Sequence, residues 1–181
     1  MLQLTIFEPE QWDDVKERFI PAKEHKLCLE HSLVSISKWE STWCKPFLAN
    51  KEKTTEEAID YVRCMTITQN VDPRIYNFVT EEDLQKIKQY IEAPMTATWF
   101  PKTKNGGGGN GEQTTNELIY YQMLSLNIPP EYQKWHLNRL LTLIRVCNEK
   151  NKKPRKMSQR DILSQNKALN ATRRKQLNTR G

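Results

Sequence analysis

Four cysteines, three histidines and a run of glycines are the residues of this 181-residue chain whose chemistry is tested first. Cys28-x-x-His31, with His25 and Cys44 nearby, offers thiolate and imidazole donors. Tetrahedral zinc takes four ligands, usually as two close pairs, and only one loose pair is present. Cys28 and Cys44 are therefore expected to be packing residues. Cys28, Cys44, Cys64 and Cys147 lie far apart with no C-x-x-C pair, as reduced thiols among apolar neighbours do. Asn105-Gly-Gly-Gly-Gly-Asn-Gly111 has the glycine separation of a phosphate loop, but Glu112 and Gln113 stand where lysine and a hydroxyl residue would be needed, and an acid there repels phosphate. Residues 105–113 are expected to form a flexible surface loop. His136 has no Ser or Cys nucleophile on its helical face, and His31 beside Glu30 makes a base and orienting acid with no pocket to serve. The carboxylates Glu56, Glu57, Glu81, Glu82 and Asp83 sit in helix first turns, where the helix dipole accounts for them. No catalytic residue, cofactor or metal ligand is assigned, and the chain is expected not to be an enzyme.

Charge is distributed unevenly. Residues 149–181 carry eleven basic side chains against two acids, while residues 1–148 carry 17 basic and 20 acidic ones. A mildly acidic body of about one ordinary domain thus bears a basic arm, which is expected to meet something acidic. No stretch approaches the roughly 18 consecutive apolar residues of a membrane span. The first residues show no basic region followed by an apolar run, so no secretory signal and no membrane partner are expected.

The elements that must position these residues are mostly helices. Leu2, Leu4 and Ile6 alternate with polar neighbours, as do Leu27 and Leu29, so residues 1–31 are expected to hold a small β element, with a turn or two of helix over 10–20 before Pro21. From Ser32, an N-cap, the period changes to that of a helix carrying Leu33, Ile36, Trp39 or Glu40, and Trp43. Thr54-Thr-Glu-Glu57, Thr80-Glu-Glu-Asp83 and Thr114-Thr-Asn-Glu117 read as capping boxes opening three further helices. Pro129 and Pro130 mark the entry of the strongest helix, whose stripe is Leu137, Leu140, Leu141, Ile144 and Cys147; with its predecessor it is expected to form a central antiparallel hairpin. The fold class is mainly α, a helical domain over 1–148 with a small N-terminal β element and a C-terminal basic helical arm over 149–181.

Ser158-Gln-Arg-Asp161 reads as a fourth capping box, for an arm helix running to about Leu177. Ile162, Leu163, Leu169 and Leu177 give it only a narrow apolar stripe, so a partner is expected to order it. The arm has no Phe, Tyr or Trp, which argues against base stacking and leaves nucleic acid as a secondary partner through phosphate contact. Trp39 and Trp43 share a face at i, i+4 and read as core. Trp12 and Trp99, next to turn signals, are expected to be partly exposed.

Four strings resemble a protein family of long-tailed bacteriophages, encoded in the tail region: Leu29–Glu40 (LEHSLVSISKWE), Ala93–Phe100 (APMTATWF), Gln133–Asn148 (QKWHLNRLLTLIRVCN) and the ending from Lys156 to Gly181. The glycine run looks like an insertion peculiar to this member. Members look most like tail assembly chaperones, small helical proteins of the host cytoplasm that cover the tape-measure protein while tail-tube subunits polymerise. The resemblance implies partner binding without catalysis, by Trp39, Trp43, Trp135 and the arm cations Lys152, Lys153, Arg155, Lys156, Arg160, Arg173, Arg174 and Lys175. Tape-measure and tail-tube proteins are the implied partners, with grooves beside the Trp39/Trp43 helix or the Leu137–Ile144 helix expected to take the client, and homo-oligomers are compatible with it. The alternative is a virion structural protein, a head-to-tail connector or tail terminator, whose arm lies against DNA or a neighbouring subunit. A DNA-binding regulator is the third class, and Ile128-Pro-Pro is a poor turn for a helix-turn-helix.

Overall fold

The computed structural model describes residues 1–14, 17–49, 52–100, 113–152 and 159–177. The Gly-rich segment of 105–112, Ser158 and the Lys153–Lys156 stretch lie outside the described residues. The chain divides into two compact units, Met1–Asn148 and Glu149–Gly181.

The first unit begins with β1 (Leu2–Glu8), β2 (Gln11–Asp13), β3 (Arg18–Ile20) and β4 (Lys23–Leu29). β1 and β4 pair antiparallel with Leu4 opposite Leu27, and Leu4, Ile6, Leu27 and Leu29 all face the core, as their alternation predicts. The helix expected over 10–20 is not there. β2 and β3 instead form a second antiparallel pair with Trp12 opposite Phe19, their rings edge-to-face at 4.8 Å. Aromatic cross-strand pairing favours the extended form, and Glu17 takes the left-handed turn conformation at φ 47°.

Helices α1 (Leu33–Trp43), α2 (Thr55–Met65), α3 (Glu81–Glu92), α4 (Asn116–Ser125) and α5 (Leu137–Asn151) follow, with 3₁₀ turns at Pro73–Phe78 and Pro130–Lys134. The molecule is mainly α with a small N-terminal β element. Ser32, Thr54 and Thr80 cap α1, α2 and α3 through reciprocal boxes with Ser35, Glu57 and Asp83. The box expected at Thr114 is displaced. Thr115 is the N-cap of α4 and makes no side-chain cap bond, and the first backbone N–H of the helix, that of Asn116, donates to the buried Glu40 carboxylate at 2.8 Å. Glu117 retains a capping role: its own backbone N–H, then the Thr115 hydroxyl, hold its carboxyl below the ordinary range.

Two expectations about the second half fail. The prolines at 129 and 130 open a separate 3₁₀ turn, and α5 starts only at Leu137. The expected hairpin of α4 with α5 does not form; α1 is the central helix and packs against both α2 and α4. The start of α5 is instead tied to the start of α1, where Leu137 N–H donates to the His31 carbonyl at 2.8 Å and Ser32 bridges to His136. Leu137, Leu140 and Ile144 are buried as the stripe predicts.

Asn138 fastens α3 to this junction. Its amide donates to the carbonyls of Ile91 and Ala93 at 2.9 and 2.8 Å, satisfying acceptors that the end of α3 leaves open. Replacing it with Ala strands two carbonyls, so Asn138→Ala is expected to lower stability by about 2 kcal/mol. A chemical-denaturation midpoint unchanged from wild type would show that water replaces the amide.

The second unit contains α6 (Gln159–Leu177). Ile162, Leu163, Leu169 and Leu177 are 44–71% exposed along it, and the polar side chains described between them are exposed too.

Candidate partner-binding surfaces

A cleft of about 300 Å³ opens beside α1, lined by Trp39, Lys45, Pro46, Ala49, Lys53 and Glu57 among others. Its walls follow from the end of α1. Cys44 takes the left-handed C-cap conformation, at φ 50°, and turns the chain into Lys45-Pro46. Glu40 then receives the Phe47 N–H at 2.6 Å, which pins the loop and sets the Phe47 ring 4.0 Å from that of Tyr61. Lys53 lies 4.2 Å over the Phe47 ring, and partial burial lowers its pKa. Lys45 donates to Glu57 at 2.5 Å; that bond first, then the Thr54 N–H, holds the Glu57 carboxyl below its ordinary range.

Trp39 does not present its ring to a partner. It is 2% exposed, its Nε1 donates to the Glu57 carbonyl, and it contributes only the floor of the cleft. Closure of α2 over α1 is what hides it. Trp43 is half-buried, stacked on Trp39 at 6.1 Å with its Nε1 donating to Asp60. The cleft residues missed from the sequence are Lys45 and Lys53, whose signal was a Lys-Pro after a helix end and a Lys directly before a cap.

A second cleft, of about 390 Å³, is lined by Pro94, Thr96, Thr98, Trp99 and Phe100 on one side and by Asn138, Leu141, Thr142 and Arg145 of α5 on the other. It brings together two of the distinctive strings, Ala93–Phe100 and Gln133–Asn148. Trp99 is 80% exposed, and the Arg145 guanidinium lies 4.2 Å over the Phe100 ring. Asn138 fixes one wall through its bonds to Ile91 and Ala93. Trp135 stands apart from this cleft, half-buried between the stacked Tyr132 ring at 4.1 Å and the Arg139 guanidinium at 3.9 Å. Phe100 and Arg145 lie in two of the distinctive strings but were not singled out as site residues, since only the fold makes them neighbours.

The arm cations divide. Arg160, Arg173 and Arg174 are exposed on α6, which also carries Lys175. Lys152 is at the end of α5 and donates to Glu149 at 2.6 Å, while Lys153, Arg155 and Lys156 lie outside the described residues.

A third assembly of reactive groups is buried. His31 and Tyr61 share a 2.5 Å hydrogen bond between Nδ1 and the hydroxyl, and the His31 and His136 rings meet edge-on at 5.1 Å. His136 Nε2 donates to the Tyr90 carbonyl, and its Nδ1 accepts the Asn138 N–H, which fixes a neutral ring. The expected pairing of His31 with Glu30 is not made: Glu30 accepts the Tyr90 hydroxyl at 2.7 Å. Burial, then His136, holds the His31 pKa down to about 3. A neutral imidazole enclosed by side chains has no route to a substrate, and the cluster reads as structural.

The cysteines do not converge. Cys28, Cys64 and Cys147 are half-buried, and burial pushes the Cys64 thiol up to about 11. Cys44 is exposed rather than packed, because the left-handed cap turns it out of the α1 stripe. Among the described residues no group of three or more His, Cys, Asp or Glu is placed to hold a metal ion, and no helix is long and apolar enough to cross a membrane. Comparison with protein-family models, with curated proteins and with solved structures finds no match for the chain.

Proposed function

We propose that this chain is a non-enzymatic tail assembly chaperone of the long-tailed phage type, acting in the host cytoplasm on the tape-measure protein and tail-tube subunits. The observation that carries the reading is the Trp99 cleft. An exposed Trp beside an apolar floor and an Arg–aromatic pair is the composition of a protein-binding hot spot. Its two walls belong to two of the four strings that carry the resemblance. A helical client with an apolar stripe lays side chains into such a groove until another surface replaces it. The basic arm then recruits an acidic stretch of the client or the tube subunit.

Co-expression with the tape-measure protein tests this. Trp99→Ala is expected to weaken co-purification about 30-fold, corresponding to about 2 kcal/mol for loss of one anchor, with the fold intact by circular dichroism because the ring is exposed. Unchanged retention would overturn the cleft as the binding surface. Virion mass spectrometry decides between this role and a structural one, as a chaperone is absent from mature particles and a connector or terminator is present in fixed copy number. The exposed row of arm cations favours the structural alternative only if salt-dependent DNA retention accompanies virion incorporation.

A further inference from the structure

The Trp99 cleft carries a single charge. Arg145 is the one cation among the described residues that line it, and no acid stands with it there. Most of the other polar groups in the lining are already spent. The Asn138 amide is used on Ile91 and Ala93, the Thr142 hydroxyl on the Asn138 carbonyl at 2.8 Å, and the Thr96 hydroxyl on the Thr98 N–H at 3.1 Å. Arg145 is exposed, with its guanidinium 4.2 Å over the Phe100 ring. Its fork of five N–H donors is more than one ring occupies, and a carboxylate takes two of them in parallel. Apolar surface lies beside it, from the exposed Trp99 and the half-buried Leu141.

We propose that the cleft selects client segments in which a carboxylate stands within about two helical turns of a bulky apolar side chain. The apolar group seats on Trp99 and Leu141, and the carboxylate pairs with Arg145. The reach follows from α5, where Asn138 to Arg145 covers about 10 Å along the helix axis, or two turns. Arg145 is then the residue that sets specificity. The apolar contact alone accepts any amphipathic helix, whereas the guanidinium opposes one that brings a lysine to the same place. The chain's own arm is excluded on the same ground, because its eleven bases against two acids meet Arg145 with like charge. A nucleic acid strand is held along a row of cations, and this cleft has one. The inference rests on the cleft being the client surface and adds which clients it takes.

A displayed library of random peptides, about four helical turns long, tests this when selected on the full chain and counter-selected on Trp99→Ala. Counter-selection removes peptides held by the basic arm, which both proteins share. The retained peptides are expected to be enriched in Asp or Glu within about two turns of a Trp, Phe or Leu. Synthesised singly, they are expected to bind Arg145→Glu at least about 10-fold more weakly than wild type, and Arg145→Gln with a smaller loss. Replacing the peptide's acid with Lys is expected to restore binding to Arg145→Glu. Retained peptides that lack an acid, or that ignore both Arg145 variants, overturn the proposal and leave the cleft standing as a client surface. If no peptide depends on Trp99, the client reading of the cleft falls and the proposal with it. A single-stranded oligonucleotide that binds wild type but neither Trp99→Ala nor Arg145→Glu also overturns it. So does a wild-type mass that rises with concentration in sedimentation while Trp99→Ala stays monomeric, since a second copy then covers the cleft.

Discussion

Glu40→Ala is expected to lower stability by about 4 kcal/mol, because three donors lose one buried acceptor. Glu40 is 8% exposed. Its two oxygens accept the N–H of Phe47 at 2.6 Å, the N–H of Asn116 at 2.8 Å and the side-chain amide of Asn116 at 2.5 Å. One carboxylate therefore joins the end of α1, the loop that walls the first cleft, and the first turn of α4. Truncation leaves two backbone N–H groups buried without partners. The residual desolvation of a charge is removed at the same time, which keeps the net cost below the sum of three bonds. For a chain of this size the melting temperature is expected to fall by roughly 10 °C. Asn116→Ala is expected to cost about half as much, and the double variant less than the sum of the two singles, since both act on one network. A Glu40→Ala chain within about 1 kcal/mol of wild type would show that this carboxylate does not hold the three elements together.

The second large effect is acid lability centred on His31. The ring is packed against Tyr61 of α2, Phe47 of the loop between α1 and α2 and His136 at the entry to α5, with Tyr90 of α3 and its partner Glu30 on the far side of His136. None of these hydroxyls or rings offers a negative charge to an imidazolium. The folded pKa is held down to about 3, against an ordinary 6.5. The unfolded chain therefore takes up the proton first. The stabilisation is fully present above pH 6.5 and is lost as pH falls from there toward 3, and the gap corresponds to about 5 kcal/mol at most. Burial depresses the pKa of His136 as well, in the same direction. By pH 4 about 3 kcal/mol of the His31 stabilisation is lost, a large share of a domain stability of about 5–15 kcal/mol, so the urea midpoint is expected to fall steeply between pH 6.5 and 4. His31→Gln keeps a polar group near the Tyr61 hydroxyl without a titrating ring. It is expected to be less stable at pH 7 but to lose stability more gradually between pH 6.5 and 4. Parallel urea midpoints for the two proteins across that window would rule His31 out as the source.

Both effects arise from residues the sequence left ambiguous or bland. The helical period placed Trp39 or Glu40 on the inner face of α1, and both are inside: the indole as packing, the carboxylate as an acceptor for groups 7 and 76 residues away. His31 looked like half of an acid–base pair with its neighbour Glu30, and its partners are Tyr61 and His136 instead. Adjacent side chains point in different directions at the join of a strand and a helix, so adjacency was the wrong guide. The Trp99 cleft is a similar case. Its two walls were each recognisable as distinctive strings, but nothing local says that residues 94–100 return across α5.

The sequence by itself determined the local elements. The caps at Ser32, Thr54 and Thr80 are chemistry completed within three residues, and the alternation of β1 and β4, the stripe of α5 and the basic arm are periodicities and compositions carried by each segment alone. Tertiary structure decided what long-range competition settles. Glu40 received the first N–H of α4, aromatic pairing joined Gln11–Asp13 to Arg18–Ile20 as antiparallel strands, and α1 rather than the α4–α5 pair became the central helix. The physical reason is that a buried charge or ring is satisfied by whichever partner the fold brings to it, and that partner is fixed by packing across the chain rather than by order along it.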